Sequence, residues 1–427
     1  MSYFRQSTPE GDVTPGEDAY PRGMDVLTVW PYSGLLGFVV GAAVVGAIWL
    51  IRHPWSSSAR LDNDVVPDGL DTALEVIGAG VLTTVQDLGR DGHWVSGISR
   101  GGANDPNCLR LANHIVGNSQ DMAGLEITAV GPTLKFGIAS CICLCGAPIT
   151  IHSGKDKNQM LLFPSRRPVF IKKGTVIRFG SVLGGFRTWM AIAGGIYSRK
   201  VLGSQSAHIA ANLVPLKIEK DSHLSLGSVE YDLVTLFHKT FEKSSLAGTS
   251  QNIGELLSAY TQEIVFPPWF VPDGDLRKNS QVIEVSVLPG RHFNMLSKSV
   301  QGRVFESMWT VSSKSNRQGL LLEGEALPTS GMRNIKSEPV RFGTVQLPPS
   351  GHPIILGVEH QTTGGYPRIL EVIGTERSVL AQLGPGTKIT FKQVTLDFAV
   401  QKSQDVRQEL KQNLKAVSLK TGNYIPK

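Results

Sequence analysis

Four cysteines among 427 residues make no framework of paired thiols, and such sparing use suits a reducing compartment. There is no GxxxxGKS or GxxxxGKT phosphate loop, so direct ATP binding through that device has no support. Past residue 72 the chain has no further long apolar run and little sustained helical periodicity, which argues against a helical bundle, and no repeat relates its two halves. Cys141, Cys143 and Cys145 alternate along one apparent strand and share a face. Three thiols there could meet a soft metal, but neither His152 nor Cys108 completes a familiar ligand spacing, and the expectation is buried apolar packing with no metal site.

What is present reads as globular. Apolar residues make up 41% and charged residues 18%, and the length leaves room for two or more domains. The formal charge of +6 is uneven: residues 1–33 hold two Arg against five acidic residues, and 401–427 hold six Lys/Arg against two acidic. In that basic tail Val406, Leu410, Leu414 and Val417 recur at helical spacing, which predicts an amphipathic helix lying on the protein and not a nucleic-acid arm. Residues 34–51, GLLGFVVGAAVVGAIWLI, are eighteen residues without a charge, just long enough to cross a bilayer. More than thirty mostly polar residues precede them, so a cleaved signal fits poorly and a single membrane anchor is expected. Arg52 and Arg60 after the segment, against Arg22 before it, place the large C-terminal part in the cytoplasm. Residues 52–73 would then be a tether.

Between about Ala73 and Val400 lie short β-rich runs closed by Gly or Pro. They include Leu74 to Ile77, Ile142 to Leu144, Ile149 to Ile151, Val169 to Ile171, Val176 to Phe179, Val282 to Val287, Val345 to Leu347, Ile354 to Val358, Ile369 to Ile373 and Ile389 to Val394. Such punctuation predicts barrels or sandwiches. One helix interrupts them, Asp105 to Val116, with Asp105 as cap and Pro106 in its first turn. The Ser-, Gly- and Pro-richer stretch 240–280 divides a first half, 74–239, from a second, 281–400.

Two stretches concentrate chemistry. QTTGGYP packs an amide, two hydroxyls, two glycines and a phenol into Gln361 to Pro367. Gly364 and Gly365 permit backbone angles that let N–H groups converge on an anion, while Gln361, Thr362, Thr363 and Tyr366 add side-chain partners. The alternative is a turn whose threonines belong to flanking strands. The second stretch, Leu82 to Thr128, sets Gln86, Asp87, Arg90, Arg100 and Asp105 among seven glycines at the approach to the helix. Arg90 and Arg100 suit an acidic substrate, because guanidinium binds carboxylate through two parallel bonds; a salt bridge to a nearby Asp competes for each. Asp105 is either the helix cap or a ligand-binding acid.

TTVQDLGRDG, GGANDP, RLANHIVGN, GLEIT, GGI with LGSQS, VLPG, VQLPPSGHPIIL, HQTTGGYP and LAQLGPG occur in one order over about residues 74–397. That series resembles the biotin-dependent carboxyltransferase A/B superfamily, the allophanate hydrolase subunit 2-like group, and most closely its 5-oxoprolinase C-type members. The resemblance implies a mainly β fold of two β-rich subdomains, one a cyclophilin-like barrel, working beside a B-type partner, with an A-type protein as a further partner. It also implies ATP-dependent opening of 5-oxoproline to glutamate, with ATP bound with or by a partner. Related domains in urea carboxylase move a carboxyl group from carboxybiotin to urea. Both reactions develop charge on a carbonyl oxygen, which convergent donors would stabilise.

Departures accompany the matches. Ser315 to Gly319 reads SNRQG where many relatives carry aspartate second, so Asn316 cannot serve as a base, while Arg317 remains as a substrate-binding candidate. Glu359 and His360 precede the threonines, where an acidic and a basic residue are common, and His360 makes the second pH-sensitive. No biotin-attachment or biotin carboxylase region is recognisable. Three readings follow: a 5-oxoprolinase C-type component, with Glu359, Asp105 and Tyr366 as catalytic candidates; a carboxyltransferase component that takes carboxybiotin from another chain; and a non-catalytic regulatory module of the same fold.

Overall fold

The computed structural model describes residues 72–152, 160–214, 217–227, 232–241, 252–272, 281–329 and 335–422. These residues are mainly β with few helices, arranged as two face-to-face sheets followed by a closed barrel.

The first sheet has seven strands in the spatial order Ile196–Tyr197, His223–Leu226, Thr72–Gly78, Thr133–Phe136, Val176–Val182, Ile149–His152, Met160–Leu162. The second has six, in the order Ile264–Val265, Val169–Ile171, Ser140–Gly146, Arg187–Ile192, Gly124–Thr128, Leu82–Gln86. Strand Ser140–Gly146 shows why the layers hold. Its period of two sends Ile142 and Leu144 into the core between the sheets, with Leu74, Phe136 and Phe179, while Cys141, Cys143 and Cys145 face a second core under the helices. All three thiols are buried, and burial drives the Cys141 and Cys143 ionisations upward, so they behave as small apolar residues.

Stretch 240–280 does more than connect. Ile264–Val265 pairs antiparallel with Val169–Ile171 and forms the edge of the six-stranded sheet.

Seven strands close the barrel in the order Val282–Pro289, Arg368–Val372, Thr344–Gln346, Ile354–Leu356, Gly319–Glu323, Trp309–Val311, Lys388–Gln393. Closure comes from a parallel pairing in which Val282 lies opposite Lys388 and Val287 opposite Gln393, so the first and last strands leave no open edge. Trp309, Val345, Ile369 and Ile389 are fully buried inside.

Helix Pro106–Ile115 begins as the residues dictate, with Asp105 accepting from the N–H groups of Asn107 and Cys108. The tail helix runs Leu396–Thr421, five residues earlier than its basic part, because Thr395 caps it through the Phe398 N–H; it buries Leu414 and Val417 against the first half.

The expectation of a single-pass membrane protein needs correction. Among the described residues no helix is long and apolar enough to cross a membrane. Segment 34–51, which prompted that expectation, lies outside the described residues.

Candidate functional site

The glycine-rich approach meets the barrel at residues 358–360, just before QTTGGYP, and this is the seam between sandwich and barrel. Gly101 N–H donates to the Val358 carbonyl at 3.1 Å, and the Trp94 and His360 rings meet edge-on at 5.4 Å. The seam is built on backbone contact. Gly102 has a left-handed φ of 83°, and a β-carbon there would stand 2.7 Å from the Gly89 nitrogen. Only glycine permits that approach, which brings Arg90 against Arg100 and lays both beside the barrel.

Asp87 fixes the sandwich side. Its Oδ1 accepts from the Gly89 N–H at 2.7 Å and from the hydroxyls of Ser204 and Ser206, and its Oδ2 accepts from the Gln205 N–H at 2.7 Å. The LGSQS stretch is thereby clamped to the glycine-rich approach. Arg90 is drawn in with it. Its side chain is 1% exposed, Nη2 donates to the Ser206 carbonyl, and Nη1 is buried without a hydrogen-bond partner. Burial lowers the Arg90 pKa, with Asp87 and Glu359 working against that loss.

Across the seam, Arg317 from the barrel side joins two acids from different halves. Nη1 pairs with Glu126, Nε with Glu359, and Nη2 donates to the Gly102 carbonyl at 2.7 Å. Burial opposes its charge, but Glu126 and Glu359 together outweigh that, and its pKa moves up. Glu126 is held low for the reciprocal reason: burial raises it, and Arg317, Arg187 and two hydrogen bonds from Asn104 prevail. The Trp189 indole N–H, 3.0 Å away, completes its shell. Arg187, pushed down to about 10 by burial, lies 3.6 Å from the same carboxylate.

Glu359 is the meeting point. Besides Arg317, it accepts from the Ala210 N–H at 3.0 Å and lies 3.8 Å from His208 Nδ1. The short turn Ile209–Ala211 therefore presents both His208, at its cap, and a backbone donor to the barrel. His208 is buried, and that lowers its pKa despite Glu359. Its Nε2 sits 3.0 Å from the hydroxyl of buried Ser99.

The other candidates fall elsewhere. Asp105 gives Oδ1 to the helix cap. Arg100 is partly exposed and pairs with the exposed Asp91 at 3.1 Å. Thr363–Gly364 forms a two-residue ribbon with Glu338–Pro339, the Thr362 carbonyl accepts from Val340 N–H, and the exposed Gln361 donates to Gln346. Neither Gly364 nor Gly365 has a left-handed backbone, so the expected convergence of their N–H groups does not occur. Gly364 is needed for another reason: a β-carbon would stand 2.5 Å from Gln346 Nε2. Tyr366 is half-buried at the ribbon's end.

Sequence reasoning did not select Glu126, Ser99 or His208. One signal was visible, since an acid between Leu125 and Ile127 in an apolar strand requires a buried cation. Among the described residues no cluster of three His, Cys, Asp or Glu suits a metal. A cavity of about 500 Å³ lies on the sandwich, lined by Gly78, Gly80, Gly131, Gly180, Arg178 and other residues. Its glycines are packing glycines: β-carbons on Gly80, Gly131 and Gly180 would meet neighbours at 2.4–2.5 Å.

A family model described as the carboxyltransferase domain, subdomain A and B, matches residues 96–393. The chain is 32% identical over 342 residues to the C subunit of 5-oxoprolinase from Escherichia coli strain K12, covering 79% of this chain and 97% of the relative. It is 27% identical to the Haemophilus influenzae protein of the same name, over 76% and 93%. Urea amidolyase of Saccharomyces cerevisiae is 26% identical over 78% of this chain but only 17% of its own length. Among solved structures, K. lactis urea amidolyase superposes with a TM-score of 0.64 at 23% identity, over 82% of this chain and 20% of that one, a likeness of fold.

Proposed function

Because the chain belongs to the carboxyltransferase domain family, subdomains A and B, we propose that it is the C-type component of an ATP-dependent 5-oxoprolinase. It would open 5-oxoproline to glutamate beside a B-type partner. The likeness to the bacterial 5-oxoprolinase component across nearly the whole of that relative supports this reading. The single structural observation that carries it is the buried seam at Glu359, where the sandwich and the barrel contribute charged groups to one place.

Opening the ring adds water to a lactam carbonyl, breaks the C–N bond and delivers a proton to nitrogen. The reaction needs an acid–base group, donors for the developing oxyanion and a cation for the carboxylate. Glu359 is the better acid–base candidate of the two carboxylates, because Asp105 already caps a helix. Thr362, Thr363 and Tyr366, on the ribbon that follows Glu359, orient the substrate, with Gln361, Gly364 and Gly365 shaping that ribbon. Arg317 holds Glu359 in place, and Arg90 or Arg100 meets the carboxylate. ATP supplies the driving force, and its binding is assigned to a partner, since the sequence carries no GxxxxGKS or GxxxxGKT phosphate loop.

The sequence likeness to urea amidolyase favours a second reading, a carboxyltransferase component that accepts a carboxyl group from carboxybiotin on another chain. One assay separates the two. Reconstituted with a B-type partner protein, the chain should release glutamate from 5-oxoproline only with ATP. Turnover that instead requires bicarbonate and biotin contradicts the first reading and supports the second.

A further inference from the structure

The proposed ring opening leaves two arginines, Arg90 and Arg100, for the substrate carboxylate, and the inference rests on that reaction. We infer that Arg90 and Ser99 form the carboxylate seat over Gly101, and that His208 is a positioning residue that turns Ser99 into a donor.

Three observations converge. Arg90 is 1% exposed, its Nε and Nη2 face the carbonyls of Val201 and Ser206, and its Nη1 has no partner. A buried charged donor left unmatched is costly, and an anion that accepts from it recovers that cost. The free N–H is located by Gly101, where a β-carbon would stand 3.2 Å from Arg90 Nη1 and 3.3 Å from His208 Cδ2. The guanidinium and the imidazole edge therefore come together over a single glycine.

The third observation is the sense of the Ser99–His208 bond. His208 Nδ1 accepts from the Ala211 N–H at 3.2 Å, so the neutral ring carries its proton on Nε2 and donates it to Ser99 Oγ at 3.0 Å. The serine proton is then free for another acceptor. A nucleophilic serine needs the opposite polarity, with the imidazole accepting, and Glu359 at 3.8 Å from Nδ1 is too far to impose it. Ser99 is thus a hydrogen-bond donor on the imidazole that meets Arg90 Nη1 over Gly101, which suits a carboxylate. Arg100 is the poorer choice, because although its Nε makes no hydrogen bond, the side chain is partly exposed and its charge is paired with Asp91 at 3.1 Å.

The test titrates the full chain by calorimetry with acetate and, separately, with 5-oxoproline and its carboxylate-free analogue 2-pyrrolidinone. Saturable acetate binding is expected, together with 5-oxoproline binding about 10-fold or more tighter than 2-pyrrolidinone, the scale of a charge-assisted hydrogen bond. Ser99→Ala, and Gly101→Ala whose methyl fills the space, should each abolish acetate binding and erase that ratio, while Ser99→Thr restores both. His208→Gln, which keeps a donor, should retain the ratio, and His208→Leu should lose it. If folded Ser99→Ala and Gly101→Ala proteins keep the ratio, the seat is refuted whatever the reaction proves to be. Acetate binding that disappears in these variants, with no 5-oxoproline binding to the unmodified chain, upholds the seat and removes the 5-oxoproline assignment. Absence of both acetate and 5-oxoproline binding overturns it as well.

Discussion

Glu359 and Thr363 stand four residues apart and obey opposite physics. Glu359 is 2% exposed, and a cation and a backbone N–H from two different elements hold it. Thr363 is exposed on a two-residue ribbon held by strand pairing and by packing on Gln346. A buried charge has few tolerable positions, so the seam is fixed by electrostatics. The ribbon is fixed by packing and leaves its side chains for solvent or ligand. Chemistry that needs a pre-set field belongs at the first, and substrate contact that can adapt belongs at the second.

The contrast breaks most sharply at Arg317. Arg317→Met leaves Glu126 and Glu359 buried without their shared cation and should cost about 3–5 kcal/mol of stability by denaturant titration. Thr363→Ala should stay within about 0.5 kcal/mol. Equal effects would erase the distinction. Next comes Gly364→Ala, which presses a methyl on Gln346 and should cost about 1–3 kcal/mol. Because the clash is with a side-chain tip, Gln346→Ala in the same chain should recover most of the loss.

Asp105 sharpens the comparison from the cap side. Asp105→Ala should lose about 1 kcal/mol, while Asp105→Asn, an equally good cap, should keep both stability and glutamate release. Loss of release in a stable Asp105→Asn protein would return this residue to the chemistry. Acid should also separate the regions. His208 and His360 have folded pKa values lowered from 6.5, chiefly by burial, so they are neutral in the folded protein where the unfolded chain would bind protons. Their contribution is complete above pH 6.5 and is lost as pH falls below it, with a slope of at most about 1.4 kcal/mol per pH unit for each. His208→Gln should flatten the decline measured between pH 7 and 5. A small effect is also expected of Arg100→Gln, which breaks a solvent-screened pair and should cost less than about 1 kcal/mol.

Much of the fold could be read from local pattern. The runs around Ile142, Val176 and Val282 fall inside observed strands, the run from Ile389 overshoots its strand by Val394 alone, and Asp105-Pro106 marked a helix start, because alternation and capping are short-range physics. The seam was only half legible. Arg90, Arg317 and Glu359 stood in motif-bearing stretches, but their convergence depends on contacts between residues 42 to 215 positions apart, as in Arg317 with Glu359 and with Gly102. His208 and Ser99 carry no motif and gain meaning from a pairing across 109 residues. The glycines of QTTGGYP show the converse limit, since residue type allowed a left-handed turn and the neighbouring amide of Gln346 required close approach instead.

The central claim is that the chemistry lies at the seam and is carried by Glu359. Its most direct test is the rate of ATP-dependent glutamate release by Glu359→Gln in the reconstituted complex, normalised to folded protein. A fall of about 100-fold or more is predicted, the scale of a lost acid–base group. A rate within about twofold of the unmodified complex, well below that scale, would contradict the account.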